Sequence, residues 1–211
     1  MADLSRYVHY ACGLVNFDIK TIDDKEELMN KFLLFCDSYN KIINYYLICH
    51  DETDVIHIHF VFYSISQVQL ATYFNKMRDW FVYKHKLTRD EYGIQIEKCE
   101  SINAHLRYFL HQDKDSIASN KKQYELSDII SNVDEDVIDT LIHSKKGQID
   151  AYYLRDAVLD CHDDFELMIR LGLAVYHRYY REIETLRGMR SVLILQREEE
   201  RKERIKEDLP F

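Results

Sequence analysis

The sequence of 211 residues is poor in the residues that interrupt regular structure, because it contains one proline and only five glycines. Since Gly and Pro mark turns, their scarcity predicts long helices and strands. No run of about 18 apolar residues is present, which argues against a membrane-spanning helix. Residues 1–6 lack the features of a signal peptide, and we therefore expect a cytoplasmic protein.

Several motifs of known chemistry are also missing. The five cysteines are odd in number and never spaced as Cys-x-x-Cys, so we expect reduced thiols rather than a zinc ribbon. No Gly-x₄-Gly-Lys-Ser/Thr run exists, which excludes a P-loop ATPase or helicase, and neither Gly-x-Ser-x-Gly nor His-Glu-x-x-His occurs. The net charge of −9 argues against a simple nucleic-acid coat protein, which would be basic.

The hydrophobic pattern of the first 130 residues predicts alternating strands and helices. Strands are expected at 6–15, 42–50, 55–63 and 93–99, and helices at 26–39, at 66–85 starting at Ser66, and from Ser101 onwards. This β-α-β-β-α-β-α order predicts an α+β fold with an antiparallel sheet of the ferredoxin-like or RRM-like kind.

After residue 130 no strand pattern recurs, and the rest of the chain predicts an all-α domain. We therefore divide the chain into domains at 1–130 and 131–211, with helices at 134–144, 149–159 and 163–171 and one long helix at 174–206. Apolar residues of the long helix approximate a heptad seam, which predicts a homo-oligomer: Tyr176, Tyr179, Ile183, Leu186 and Leu193. A helix-turn-helix within 133–172 is the alternative.

Three histidines are predicted to meet at one hairpin. His57 and His59 are two residues apart on a strand, so they point to the same face, and His50 ends the preceding strand. Three imidazoles suit Mn²⁺, Zn²⁺ or Co²⁺, and Mg²⁺ if carboxylates assist. Candidate carboxylates lie in the same hairpin: Asp51, Glu52 and Asp54. The alternative is that these are ordinary half-exposed strand histidines and a polar turn.

Tyr108 stands out among the sixteen tyrosines by its neighbours. His105 lies one turn before it and His111 one turn after it on the predicted helix, while Leu106, Phe109 and Leu110 supply an apolar stripe elsewhere. Tyr108 could thus face a site, or it could be a core aromatic residue. Basic residues that could contact phosphates are Lys76, Arg78, Lys84, Lys86, Arg89, Lys114, Lys121 and Lys122.

These motifs, in this order, resemble a known family. The matching runs are Cys49-His50-Asp51, His57-Ile58-His59 followed by Phe60-Val61-Phe62, Arg107-Tyr108-Phe109-Leu110-His111, and the segment KKQYELSDI at 121–129. Together they resemble the HUH endonucleases, particularly the small replication initiators of rolling-circle plasmids from Gram-positive bacteria. The resemblance covers residues 6–130.

The resemblance implies a metal-dependent endonuclease that nicks single-stranded DNA at a replication origin. His50, His57 and His59 would hold Mn²⁺ or Mg²⁺, with Glu52 or Asp54 as a further ligand. Tyr108 would be the nucleophile that forms a 5′-phosphotyrosine adduct and later rejoins strands, assisted by His111, Lys114 or His105. Lys76, Arg78, Lys84, Lys86, Arg89, Lys121 and Lys122 would bind DNA.

The resemblance also implies partners: origin DNA, the host helicase and polymerase, and further copies of the chain. A second tyrosine four residues from Tyr108 is absent and residue 111 is histidine, which favours the single-tyrosine plasmid type. Two alternatives stay open at this point. One is a non-catalytic nucleic-acid or partner-binding module with the same fold, and the other is a single-tyrosine transposase.

Overall fold

The computed structural model describes residues 3–18, 25–51, 55–86, 92–143 and 151–207, and it combines a five-stranded antiparallel sheet with several helices. The predicted α+β class is therefore confirmed. From the first strand to the helix that carries Tyr108, the elements follow the predicted β-α-β-β-α-β-α order.

The strands are β1 (Tyr7–Asp18), β2 (Asn44–His50), β3 (Val55–Gln69), β4 (Tyr92–Lys98) and β5 (Ile130–Ser131). The first helices are α1 (Lys25–Ser38), α2 (Leu70–Asp79), α3 (Ile102–Phe109), α4 (Lys114–Ala118) and α5 (Glu135–His143). The later helices are α6 (Ala151–Asp160), α7 (Asp164–Leu171), α8 (Leu173–Arg178), α9 (Tyr180–Gly188) and α10 (Arg190–Glu207). A π-helical turn, Trp80–Lys84, continues α2.

The sheet has the strand order β4-β1-β3-β2-β5 and two faces of different character. Side chains alternate along a strand, so Ile58, Phe60 and Phe62 of β3 share one face, where they are fully buried beneath α1 and α2. Aromatic residues of α1, α2 and the π-helical turn fill that core, among them Phe32, Phe35, Tyr73 and Phe81. The opposite face of β3 therefore carries His57 and His59.

The predicted helix start at Ser66 is wrong. β3 continues to Gln69, because Val68 and Gln69 still pair with Val8 and Tyr7 at the beginning of β1. The helix begins only at Leu70, which is buried, and backbone hydrogen bonds from Leu70 and Ala71 attach its first turn to the segment before β1. Pairing with a distant strand thus overrides the local helical pattern.

The prediction of one long helix at 174–206 is also wrong, since the chain forms α8, α9 and α10 with breaks at Tyr179 and Met189. The breaks allow Tyr176, Ile183 and Leu193 of the proposed seam to be buried within the chain. At the second break, Arg190 donates hydrogen bonds to the carbonyl oxygens of Leu159 and Cys161, at the end of α6. Most of these apolar side chains are therefore buried without contact with another subunit.

The chain divides into two compact units, residues 1–145 and residues 146–211, rather than at 130 as we expected. The first unit extends further because β5 pairs with β2 through Ile130 and Leu47, and because α5 packs against α3. Arg107 of α3 reinforces that contact by donating a hydrogen bond to the carbonyl oxygen of Ile142 at 2.7 Å.

Among the helices of the described residues, none is both long enough and apolar enough to cross a lipid bilayer. The cysteines Cys12, Cys36, Cys49, Cys99 and Cys161 are free and buried.

Candidate functional site

Three imidazoles converge on the sheet face opposite α1 and α2. The antiparallel register places His50 directly across from His57 and Ile48 across from His59. One ring nitrogen from each histidine lies within 4.8 Å of the other two. The ring centroids of His50 and His59 are 4.6 Å apart, and those of His57 and His59 are 4.9 Å apart. We call these three residues the histidine cluster.

Burial holds His50 and His59 of the histidine cluster in the neutral form. His50 and His59 are 1% and 4% exposed, whereas His57 is half-buried. Loss of hydration is the main cause that lowers the pKa of His50 to about 4 and that of His59 to about 2, and the neighbouring imidazoles contribute to both shifts. Neutral imidazole is the form that binds a metal ion.

The hydrogen bonds of the cluster leave nitrogen atoms available for a cation. His50 donates from Nε2 to the carbonyl oxygen of Phe109 at 2.7 Å, which leaves Nδ1 unprotonated in the neutral ring. Such a second hydrogen bond typically orients a metal-binding histidine. Nε2 of His59 is buried and has no hydrogen-bond partner among the described residues. Both features fit a cation held between the rings.

Tyr108 lies at the edge of the histidine cluster. Ser101 caps α3 by accepting a hydrogen bond from the backbone of Ala104, and Leu106 and Phe109 bury the apolar side of the helix. Tyr108 remains 37% exposed, so it is not the core residue that the alternative interpretation required. Its ring stands perpendicular to that of His59, with 5.2 Å between the centroids.

A groove of about 880 Å³ runs past Tyr108 and His59. Its walls include Leu14, Gln95, Glu97 and His105. The groove thus borders both the phenol ring and one member of the histidine cluster, His59.

His105 lines the same groove as Tyr108, but His111 does not extend the Tyr108 face of α3 as predicted. The helix ends at Phe109, and His111 adopts a left-handed backbone with a φ of 56°. His111 is 1% exposed, bonds through Nδ1 to the carbonyl oxygen of Lys122 and packs against His50, with 4.4 Å between ring centroids. Its position suits support of His50 rather than proton transfer at Tyr108.

His105 also contacts a thiol. Its Nδ1 lies 3.8 Å from Sγ of Cys99 and 3.3 Å from the carbonyl oxygen of Ser101. The Cys12 thiol and His105 hydrogen-bond to Cys99 and lower its pKa to about 5, although burial acts in the opposite direction.

The acidic residues of the hairpin divide into two cases. Glu52 and Asp54 lie outside the described residues. Asp51 forms ion pairs with Lys25 at 2.6 Å and with Lys122 at 3.0 Å. Hydrogen bonding to Lys25 is the main cause that lowers the pKa of Asp51 to about 2. Its carboxylate is thus engaged with two lysines.

The predicted basic residues fall on two different sides of the sheet. Lys76 and Arg78 belong to α2, which packs on the face opposite the histidine cluster, and Lys84 and Lys86 follow α2. Arg78 pairs with Asp79 at 2.9 Å, and Lys84 lies over the Trp80 ring at 3.7 Å. Arg89 lies outside the described residues. Lys76 and Arg78 therefore lie on the other side of the sheet from the histidine cluster, and DNA binding by these residues stays a prediction.

The lysine nearest the phenol ring differs from the one expected. Lys114 begins α4 and is exposed, whereas Nζ of Lys121 lies 5.9 Å from the centroid of the Tyr108 ring. Lys122 lies over the ring of Tyr124 at 4.7 Å in addition to its ion pair with Asp51.

Tyr124 is a site residue that the sequence pattern did not reveal. Its ring stacks on His50 at 4.5 Å, and its hydroxyl donates to the Asp51 carboxylate at 3.4 Å. No periodicity links Tyr124 to His50, because the two residues are 74 positions apart in the sequence. The one available signal was that Tyr124 belongs to the run at 121–129 on which part of the resemblance rests.

Comparison with known protein families and with curated proteins gives no match for this sequence.

Proposed function

We propose that this chain is a metal-dependent endonuclease and strand transferase that acts on single-stranded DNA, with Tyr108 as its nucleophile. The observation that carries the proposal is the convergence of His50, His57 and His59 on one sheet face beside a partly exposed tyrosine. The order β4-β1-β3-β2 with α1 and α2 on one face supports a ferredoxin-like fold of the HUH type. Initiation of rolling-circle replication is the role that this combination favours.

The histidine cluster suits Mn²⁺ or Mg²⁺ completed by the substrate and water, since it offers three imidazole nitrogens, among them a buried Nε2 of His59 without a hydrogen-bond partner among the described residues. When bound, the ion supplies positive charge that polarises the scissile phosphate. The Phe109 carbonyl and the ring of Tyr124 orient His50, and the sheet fixes His57 and His59.

Tyr108 carries the covalent step. Its phenolic oxygen attacks the phosphorus, the bond from phosphorus to the 3′ oxygen breaks, and a 5′-phosphotyrosine forms. The phenol loses its proton, and the 3′ oxygen leaves as a hydroxyl after gaining one. Because a free phenol has a pKa of about 10, the phenolate needs stabilisation, which the Lys121 ammonium group provides. The adduct conserves the bond energy, so a later 3′ hydroxyl can reverse the reaction.

The test is to incubate the protein with a randomised pool of single-stranded oligonucleotides and Mn²⁺, and to search for a covalent adduct on a denaturing gel. We expect the adduct with the natural sequence and with Tyr83→Phe, a control at a tyrosine that is 79% exposed after α2. We expect none with Tyr108→Phe, which should still bind DNA, and none in the presence of a chelator.

An adduct formed by Tyr108→Phe would refute the assignment of the nucleophile. Binding of DNA without any adduct from the natural sequence would favour the non-catalytic binding module instead. Sequencing the DNA from the adduct would identify the nicked sequence.

A further inference from the structure

A second group of metal-binding side chains lies beside α3, separate from the histidine cluster. Cys12 of β1 and Cys99, directly after β4, are 0% and 5% exposed, and His105 of α3 is half-buried. One donor atom from each of the three lies within 4.8 Å of the other two. The three residues come from two neighbouring strands and one helix, so the fold itself brings them together.

The distance between Cys99 and His105 is close to that between two ligands of a tetrahedral zinc site. With zinc–sulfur bonds of about 2.3 Å and zinc–nitrogen bonds of about 2.1 Å, sulfur and nitrogen ligands are roughly 3.6 Å apart. Sγ of Cys99 and Nδ1 of His105 are 3.8 Å apart. The contact of Nδ1 with the carbonyl oxygen of Ser101, at 3.3 Å, is the long hydrogen bond that metal binding would replace.

A fourth ligand could come from β4 or from the groove. Glu97 lies directly opposite Cys12 in the register of β1 and β4, so both side chains point to the same face of the sheet. Glu97 also lines the groove together with His105. Its carboxylate or a water molecule from the groove can therefore complete four-fold coordination.

We propose that Cys12, Cys99 and His105 form a second metal site, selective for a thiophilic divalent ion such as Zn²⁺. The two sulfur donors distinguish this site from the all-nitrogen histidine cluster, which suits harder ions when carboxylate or phosphate oxygens assist. The bound ion would join β1, the end of β4 and α3, and its ligand in α3, His105, lies three residues before Tyr108. The proposal does not depend on nuclease activity.

The test uses Co²⁺ as a spectroscopic probe of the full-length, reduced, metal-free protein. Cobalt bound to thiolate gives a charge-transfer absorption that nitrogen ligands do not produce. We expect this absorption in the natural protein, and we expect Zn²⁺ to abolish it by displacing the cobalt ion. The Cys12→Ala, Cys99→Ala double variant should lose it, and His105→Gln should weaken cobalt binding at least tenfold.

Two controls separate this site from other ligands. Cys36→Ala removes a buried thiol from α1, on the opposite face of the sheet, and should leave the absorption unchanged. His57→Ala, His59→Ala disrupts the histidine cluster and should also leave the thiolate band intact.

The proposal is overturned if the reduced, folded natural protein shows no thiolate-to-cobalt absorption, or if the band persists in the double cysteine variant. Formation of a Cys12–Cys99 disulfide with no cobalt uptake by the reduced protein would also overturn it. Circular dichroism establishes that each variant is folded. If the cysteine variants do not fold, the His105→Gln variant provides the test, because His105 is only half-buried. Unchanged cobalt affinity of that variant would contradict the proposal.

Discussion

At the level of single residues, the chemistry of the histidine cluster depends on which ring nitrogen each imidazole directs at its neighbours. His50 uses Nε2 to bind the Phe109 carbonyl, so its Nδ1 is the atom left for a cation. His59 is buried with Nε2 unsatisfied within the described part of the chain. An unpaired buried polar atom is costly, and a bound ion would remove that cost.

Lys121 gives a prediction at the same scale, which depends on the proposed function. Its ammonium group lies 5.9 Å from the centroid of the Tyr108 ring. In the proposed reaction it would stabilise negative charge on the phenol oxygen. Lys121→Gln should slow adduct formation about three- to tenfold, as expected for one partly screened charge at this distance. Single-turnover rates at saturating oligonucleotide measure the effect without a contribution from weaker binding.

Lys121→Arg keeps the charge and should retain most of the rate. Lys41→Gln, an exposed position between α1 and β2, is the matched control for loss of one positive charge. Equal rates for Lys121→Gln and the natural protein would exclude an electrostatic role for this side chain.

At the level of elements, hydrogen bonds between helices explain why the C-terminal segment is not one continuous helix. Asp164, at the start of α7, accepts hydrogen bonds from Tyr176 of α8 at 2.6 Å and from Arg187 of α9. In a straight helix over 174–206, Tyr176 and Arg187 would be three turns apart along the helix axis, at about 1.5 Å per residue. The break at Tyr179 allows both to reach the same carboxylate.

The carboxylate of Asp164 should therefore make stability depend on pH. The hydrogen bond from Tyr176 is the largest cause that lowers the pKa of Asp164 in the folded state. The stabilisation of the folded state by this carboxylate is thus present at neutral pH. It is lost as the pH falls below the ordinary aspartate pKa of about 3.9. Asp164→Asn should reduce the free energy of unfolding by about 0.5–1 kcal/mol at pH 7, since the side chain is largely exposed.

Urea unfolding at pH 7 and at pH 3 measures this difference. Glu182→Gln, at an exposed position of α9, removes a carboxylate without these contacts and serves as the control. A difference between Asp164→Asn and the natural protein that is as large at pH 3 as at pH 7 would contradict the role of the charge.

At the level of the whole molecule, the chain consists of two compact units, and the candidate site lies within the first. Residues 1–145 contain all five strands, the aromatic core under α1 and α2, and the histidine cluster with Tyr108. The second unit contains α6 to α10, whose buried residues include Leu154, Leu167 and Ile183. The fold of the sheet and the geometry of the site thus depend on contacts within residues 1–145.

A fragment of residues 1–145 should consequently fold by itself. We expect cooperative thermal unfolding, a near-ultraviolet circular dichroism signal from the packed aromatic residues, and dispersed amide resonances. A fragment ending at residue 130 is the informative comparison, since it lacks α5 and the hydrogen bond from Arg107 to Ile142, and it should be less stable. An unfolded 1–145 fragment would refute the independence of the first unit.

Patterns local in the sequence were sufficient to predict most elements of the sheet unit. The alternation of Ile58 and Phe60 with His57 and His59 correctly predicted which side chains would share a face, because the period of a strand is two residues. The hairpin that joins β2 to β3 likewise predicted that His50 would approach His57, as the register shows.

Features that depend on contacts between distant segments could not be predicted in this way. The extension of β3 to Gln69 requires β1 as a partner, and the breaks at Tyr179 and Met189 require packing among α6, α7, α8 and α9. Tyr124 on His50 and the grouping of Cys12, Cys99 and His105 likewise arise only when the strands and α3 are assembled. Local periodicity specifies the face of an element, whereas long-range packing determines where that element ends and which side chains meet across it.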